Sequence, residues 1–343
     1  MAVLAGIDEA GFGPILGPLV VSSSVFRVPD NLVWANLWEL LRTSISEKRT
    51  GLKGRLLVVD SKKAFTRSLG IRHLRRTVLA VLKYLGADST HSTGSTSSTQ
   101  ASSGLTGSPQ AEPNNLPDLV SALCPDCLTH LREYPWYKDI DEYSLNADAG
   151  DIDVAVSMLR KDFAKKNIEL LGLKSRCLEV AHYNRMIASV NNKAKVLFSA
   201  VAELMQWVIQ QFPDDTIEIV VDRQGGRSHY RRELQLMFAD LSLRVIHEDQ
   251  NRSSYELSAG ARKIRVHFVV GADSRYLPVA LASMACKYLR EVLVDNINRY
   301  FTGFNAELKP TAGYWKDGLR FIEDIKTHIP QIKFDTNQLI RCR

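Results

Sequence analysis

The chain opens on an apolar run, residues 2–7, that reads as a short buried strand. It hands two adjacent acids, Asp8 and Glu9, to a stretch with three glycines and two prolines (Gly11-Phe12-Gly13-Pro14-Ile15-Leu16-Gly17-Pro18). Neighbours on a regular strand point to opposite faces, so one site for both acids asks the chain to leave strand geometry there. Residues 19–28 suit a second strand, antiparallel to the first, and 32–46 follow a helical period. A run at 56–59 then delivers Asp60 into Ser61-Lys62-Lys63, and 71–85 predict a helix whose apolar face carries Leu74, Val78, Val81, Leu82 and Leu85.

Beyond a polar middle the periodic pattern resumes. Residues 154–167 and 194–212 predict helices, with a strand expected at 178–183. The run 217–221 ends on Asp222 before Arg223-Gln224-Gly225-Gly226, a second buried strand handing a carboxylate to a glycine turn. Two more strands are expected at 243–248 and 264–271; in the latter, His267 alternates with apolar residues and reads as a solvated edge residue. Asp273 then sits just ahead of a helix that Pro278 opens and that runs to about residue 301. Ser283, Lys287 and Arg290 fall at i, i+4 and i+7 of that helix, on one face.

Composition adds a globular class and a charge bias. With 343 residues, 45% hydrophobic and 24% charged, the chain has ample core for one large or two ordinary domains. The net charge of +6 is uneven: residues 84–131 hold no Lys or Arg and four acids, so the remainder carries +10. Residues 48–83 place eleven basic side chains against one acid, the expected footprint of an anionic partner. Residues 87–117 turn to Ser, Thr, Gly, Pro and Asn, too polar to offset their ordering entropy, and are expected to be a disordered insertion. No stretch has the pattern of a signal peptide or membrane span, so a cytoplasmic protein is expected. Five cysteines without framework spacing fit a reducing compartment. Cys124-Pro-Asp-Cys127 has metal-clip spacing, but no second such pair exists, so these read as surface thiols of an inserted helix.

The candidate chemistry lies where strands end in acids. Glycines at 11 and 13 allow a turn and bare backbone N–H groups to an anion, and two carboxylates beside them fit a metal ion with a phosphate. A cap and a solvated acid beside a tight turn is the competing account of the same residues.

Four motifs in one order resemble type 2 ribonuclease H, the prokaryotic HII branch. Gly6-Ile7-Asp8-Glu9-Ala10-Gly11-Phe12-Gly13-Pro14 is similar to that family's Asp-Glu-Ala-Gly-Arg-Gly opening. Asp60-Ser61-Lys62-Lys63 resembles its Asp-Ser-Lys-Lys element, and Asp222 falls where the family has an aspartate ending a central strand. Asp273, followed by Ala282-Ser283-Met284-Ala285-Cys286-Lys287-Tyr288-Leu289-Arg290-Glu291, is similar to its last motif.

The resemblance implies a ribonuclease H-like α/β fold, a mixed sheet of about five strands flanked by helices with a helical C-terminal extension. It divides the chain into catalytic parts at 1–86 and 151–301, a disordered insertion at 87–118, an inserted helical and aromatic segment at 119–150, and an extension at 302–343. It implies metal-binding carboxylates at Asp8, Glu9, Asp222 and Asp273, with Mg²⁺ or Mn²⁺ as cofactor. Substrate contacts are implied at Gly11, Phe12, Gly13, Lys62, Lys63, Ser283, Lys287, Arg290 and Tyr314, with Arg290 on phosphate or supporting an acid. The implied activity is cleavage of the RNA strand of RNA/DNA hybrids, or at ribonucleotides embedded in duplex DNA, by a monomer, leaving 5′-phosphate and 3′-hydroxyl ends. The family's Gly-Arg-Gly is Gly11-Phe12-Gly13 here, an aromatic ring in place of an arginine. Two readings compete with this one: a nucleic-acid-binding member of the fold that no longer cuts, and a nuclease for another duplex or junction.

Overall fold

The structure is a computed structural model that describes residues 1–66, 69–88 and 113–342. Most of the expected disordered insertion, residues 89–112, lies outside the described residues, while its far end, from Leu116, already belongs to a helix, Leu116–Leu123.

Nine strands occur among the described residues: β1 (Ala2–Ala10), β2 (Leu19–Val28), the two-residue β3 (Ile45–Ser46) and β4 (Leu56–Leu57), β5 (Glu169–Leu178), β6 (Thr216–Asp222), β7 (Ser242–Glu248), β8 (Arg252–Ala259) and β9 (Arg262–Val269). Seven form one mixed sheet in the order β5-β2-β1-β6-β9-β8-β7, two strands more than expected; β3 and β4 pair separately. The sheet's centre is parallel, β1 on β6 and β6 on β9, with antiparallel pairs outside it.

Both faces of the sheet are covered, as its mostly apolar central strands require. Along β1, Ala2 and Leu4 enter one core while Val3, Ala5 and Ile7 enter the other, the period-two alternation of a strand. The first core holds the long helix Leu277–Thr302, the helix Arg72–Asp88 and the aromatic segment around Trp136 and Tyr137; the second holds the helix Lys193–Gln211. A Cβ at Gly6 would collide with the backbone of Pro278 and Val279, so this glycine lets the long helix begin directly on β1. Ser24 secures the contact, its hydroxyl donating to the Pro278 carbonyl at 2.7 Å.

Several expectations give way. Residues 32–46 make one α-helical turn, Leu37–Leu40, capped by the Asn36 side chain, and then β3, not a helix. The strand expected at 178–183 lies upstream as β5, and 180–190 are helical. Strand β8 was not anticipated: Ser253, Ser254 and Glu256 are buried and interrupt the apolar pattern that marks a strand. His267 is buried, not solvated, because β8 covers its edge; its ring meets Glu218 Oε2 at 2.9 Å and Ser254 Oγ at 2.8 Å.

Candidate active site

Three parallel strands finish at the same edge of the sheet, and each ends in acid. Asp8 and Glu9 close β1, Asp222 closes β6, and Asp273 lies just past β9 in the turn Ala272–Ser274. The carboxyl ends of parallel strands are where open α/β sheets place ligands.

The pairing explains how neighbouring acids share a pocket without the chain leaving strand geometry, which it does not do: β1 continues through Ala10, paired with β2 throughout. Its pairing with β6 stops at Ile7 and Val221, so Asp8 and Glu9 stand beside an open gap with Asp222 across it. Asp8 falls on the long-helix side, where its carboxylate accepts a hydrogen bond from the Glu9 N–H at 2.7 Å and lies in hydrogen-bond contact with the Ser283 side chain. Glu9 falls on the other side and senses Asp222, Lys62 and Asp273. The Ala272 N–H donates to Asp222 Oδ1 at 2.7 Å, fixing that carboxylate against the Asp273 turn.

The electrostatics follows from that crowding. Burial, then Glu9 and Asp222, hold the Asp8 carboxyl well above the usual range. Burial, then Asp222, push Glu9 up to about 7. Burial, then Asp60 and Asp222, push Asp273 up to about 6. Asp222 is raised mainly by burial. Burial and like charge together disfavour the ionised form of each of these acids. Lys62 is the counterpart: burial would lower its pKa, but Asp60, Asp273, Asp8 and Asp222 raise it overall.

Asp60 is a residue the sequence reading quoted without giving it a site role. It caps the short helix Ser61–Ala64, accepting from the Lys62 N–H at 2.9 Å, and its side chain hydrogen-bonds Asp273. Its position at the end of an apolar run was the available signal.

The remaining predicted residues divide. Ser283 is buried and donates to Ser61 Oγ at 3.0 Å, joining the Ser61-Lys62-Lys63 turn to the acids. Lys62 reaches the acids; Lys63 is exposed on the same turn. Lys287 pairs with Glu291 at 2.6 Å and lies 4.9 Å from the Phe65 ring centroid. Arg290 is neither on an open surface nor bonded to one of the four acids. It is 1% exposed and donates to the Leu16 and Ala312 carbonyls at 3.2 and 3.1 Å and to Glu291 at 3.3 Å. The basic helical stripe is thus partly internal. Arg290 instead clamps the glycine loop: at Gly11, φ +94°, a Cβ would lie 2.6 Å from the Pro18 carbonyl oxygen and 2.7 Å from Arg290 Nε. Gly13 is open on all sides, and Phe12 is half-buried with Lys193 Nζ 5.1 Å from its ring centroid. Tyr314 is exposed and lies near enough to Arg290 to influence it.

The basic run at 48–83 is also partly spent internally. Arg76 grips Asp151 through two nitrogens and Arg55 donates to three backbone carbonyls. The thiols of Cys124 and Cys127 are buried, not at the surface, and meet Cys177.

The donor set of the acid pocket is all oxygen, as hard divalent cations such as Mg²⁺ and Mn²⁺ prefer. Among the described residues, no three of these carboxylates bring oxygens within 4.8 Å of one another. No described helix is long and apolar enough to cross a membrane.

No family model and no curated protein matches the chain. Among solved structures it is similar to a ribonuclease HII of Archaeoglobus fulgidus in complex with PCNA, at 15% identity over 99% of this chain and 94% of that one, with a TM-score of 0.41. It is also similar to a Bst ribonuclease HIII in complex with Mn²⁺, at 13% identity over 99% and 66% of the two chains, TM-score 0.39. A ribonuclease H2 of Pyrococcus horikoshii matches at 15% identity over 98% and 92%, TM-score 0.38.

Proposed function

We propose that this chain is a metal-dependent endonuclease of the ribonuclease H type. It cuts the RNA strand of RNA/DNA hybrids, or the backbone at ribonucleotides embedded in duplex DNA, and leaves 5′-phosphate and 3′-hydroxyl ends. The observation that carries this reading is the convergence of Asp8, Glu9, Asp222 and Asp273 on one gap in the sheet, close enough to raise one another's pKa. A cluster of buried acids is costly to fold and repels a phosphate backbone, so a protein that merely bound nucleic acid would gain nothing from it.

Asp8, Glu9, Asp222 and Asp273 would hold Mg²⁺ or Mn²⁺. Two such ions, when bound, lower the pKa of an attacking water and offset charge on the attacking and leaving oxygens. The chain's own groups supply position. The Ser283 hydroxyl and the Glu9 N–H orient Asp8, and the Ala272 N–H orients Asp222. Lys62, poised over the acids, supplies an ammonium for a substrate phosphate. Gly11 and Gly13 let the backbone approach the ribose, while Phe12 offers an apolar ring where the resembling family has an arginine. Tyr314, exposed, offers a ring to the junction nucleotide.

Labelled duplexes carrying one ribonucleotide, a ribonucleotide run or none, incubated with Mg²⁺ or Mn²⁺, test the reading. Cleavage only where ribose is present is expected. Binding without cleavage, or cleavage of the all-DNA duplex, would overturn it.

A further inference from the structure

A second cluster lies away from the acid pocket, where the inserted segment meets the sheet. Cys124 ends the helix Leu116–Leu123, and Cys127 sits in the tight turn Pro125–Cys127 that follows. Cys177 is on β5, the edge strand, and Glu179 comes two residues later. The Sγ atoms of Cys127 and Cys177 and a carboxylate oxygen of Glu179 all lie within 4.8 Å of one another, and the Cys124 thiol contacts both other thiols. All four residues are buried.

Glu179 is the informative member. It occupies the position before the helix Val180–Val190, yet its side chain makes no capping bond to that helix and stays 4% exposed among sulfurs. A carboxylate buried beside thiols, with only the His182 ring nitrogen 3.8 Å away as a basic neighbour in an ion pair among the described residues, gives up water for weak donors, a cost that a bound cation would offset. A disulfide would not resolve this, because it would consume two thiols and leave the third beside the same carboxylate.

We propose that Cys124, Cys127, Cys177 and Glu179 form a structural zinc site that clips the inserted segment to the edge of the sheet. Three thiolates and one carboxylate make a four-ligand set suited to tetrahedral zinc, and the Cys-Pro-Asp-Cys turn supplies the usual two-residue spacing. Zinc–sulfur bonds near 2.3 Å place tetrahedral ligands roughly 3.8 Å apart; Cys127, Cys177 and Glu179 already lie within 4.8 Å of one another, and Cys124, in contact with both thiols, would turn in as the fourth ligand. The His182 ring, with Nδ1 3.8 Å from Glu179 Oε2, is placed to orient that carboxylate. A groove of about 310 Å³, lined also by Lys174, Arg176 and the Glu203 that pairs with Arg176 at 2.7 Å, reaches Cys124 and Cys127 from solvent and gives the ion a way in. Binding releases the thiol protons, and the clip ties together residues about fifty positions apart.

The test uses the full chain, expressed with zinc and purified under reducing conditions. Elemental analysis after dialysis is expected to find one zinc per chain, retained in Asp8→Asn/Asp222→Asn and lost in Cys127→Ser/Cys177→Ser. Replacing zinc by Co²⁺ in the unmutated protein is expected to give a thiolate-to-cobalt charge-transfer band, a readout independent of whether the cysteine variant folds. No retained zinc together with no such band, or equal zinc in the cysteine variant, would overturn the site. So would a Cys127–Cys177 disulfide that persists under reduction. None of these readouts depends on cleavage, so failure here is distinct from failure of the nuclease reading.

Discussion

The acid pocket and the thiol cluster both gather ionisable side chains from distant parts of the chain, but they are built oppositely. The acids stand at the open ends of β1, β6 and β9, beside a gap in strand pairing, with oxygens splayed and Lys62 reaching in from a surface turn. The thiols sit between an inserted turn and an edge strand, mutually within contact, closed by the segment they hold. An open, all-oxygen site leaves room for substrate and hard ions; a closed, sulfur-rich one leaves no coordination position free. The contrast teaches that compactness alone does not pick out the pocket proposed to act on substrate.

The largest effect expected is on cleavage. Asp222→Asn should lower the rate by about a thousandfold or more, the scale of losing a preorganised electrostatic group, while hybrid binding persists. Its zinc content should stay unchanged, which separates the two sites in one variant.

The next concerns pH. The Glu9 carboxyl rises from its ordinary 4.5 to about 7 and Asp273 from 3.8 to about 6, so folding favours their protonated forms. Without divalent ions, the stability these two acids contribute should be complete below about pH 4 and be lost as pH rises to about 7, by on the order of 3 kcal/mol for Glu9 alone. Melting curves across that window should show the fall, Mg²⁺ or Mn²⁺ should reverse it, and Glu9→Gln should flatten it. A flat profile for the unmutated protein without metal would show that the acids are not crowded in solution.

Gly6→Ala sharpens the comparison further. The added methyl meets the start of the long helix, which carries Ser283 to Asp8, and overpacking of this kind costs about 1–3 kcal/mol. Chemical denaturation should show that loss and cleavage should weaken, with zinc content untouched. The smallest effect is reserved for His182→Ala, which should weaken zinc binding about tenfold in competition with a chelator, because it removes only an orienting partner.

The acid pocket was legible because β1 and β6 are apolar runs that end abruptly on Asp, a pattern that buried parallel strands write plainly. Asp273 was legible from the proline-opened helix behind it. The supporting parts were less so. Arg290 looks like a surface cation by helical spacing, but the glycine loop folds over it and takes its hydrogen bonds, a contact 274 residues apart. Strand β8 hides because three of its five buried positions are polar, Ser253, Ser254 and Glu256, the last two bonded to His267 and to Arg244 and Arg265. The thiol cluster hides for a different reason: its third cysteine belongs to an edge strand, and only folding brings it to the Cys124–Cys127 turn.

The most direct test of the account is to compare the unmutated protein with Asp222→Asn on a duplex carrying a single ribonucleotide, in Mn²⁺. The account predicts one cut at the ribonucleotide by the unmutated protein, leaving a 3′-hydroxyl, and binding without cleavage by the variant. Full metal-dependent cleavage by Asp222→Asn would contradict it.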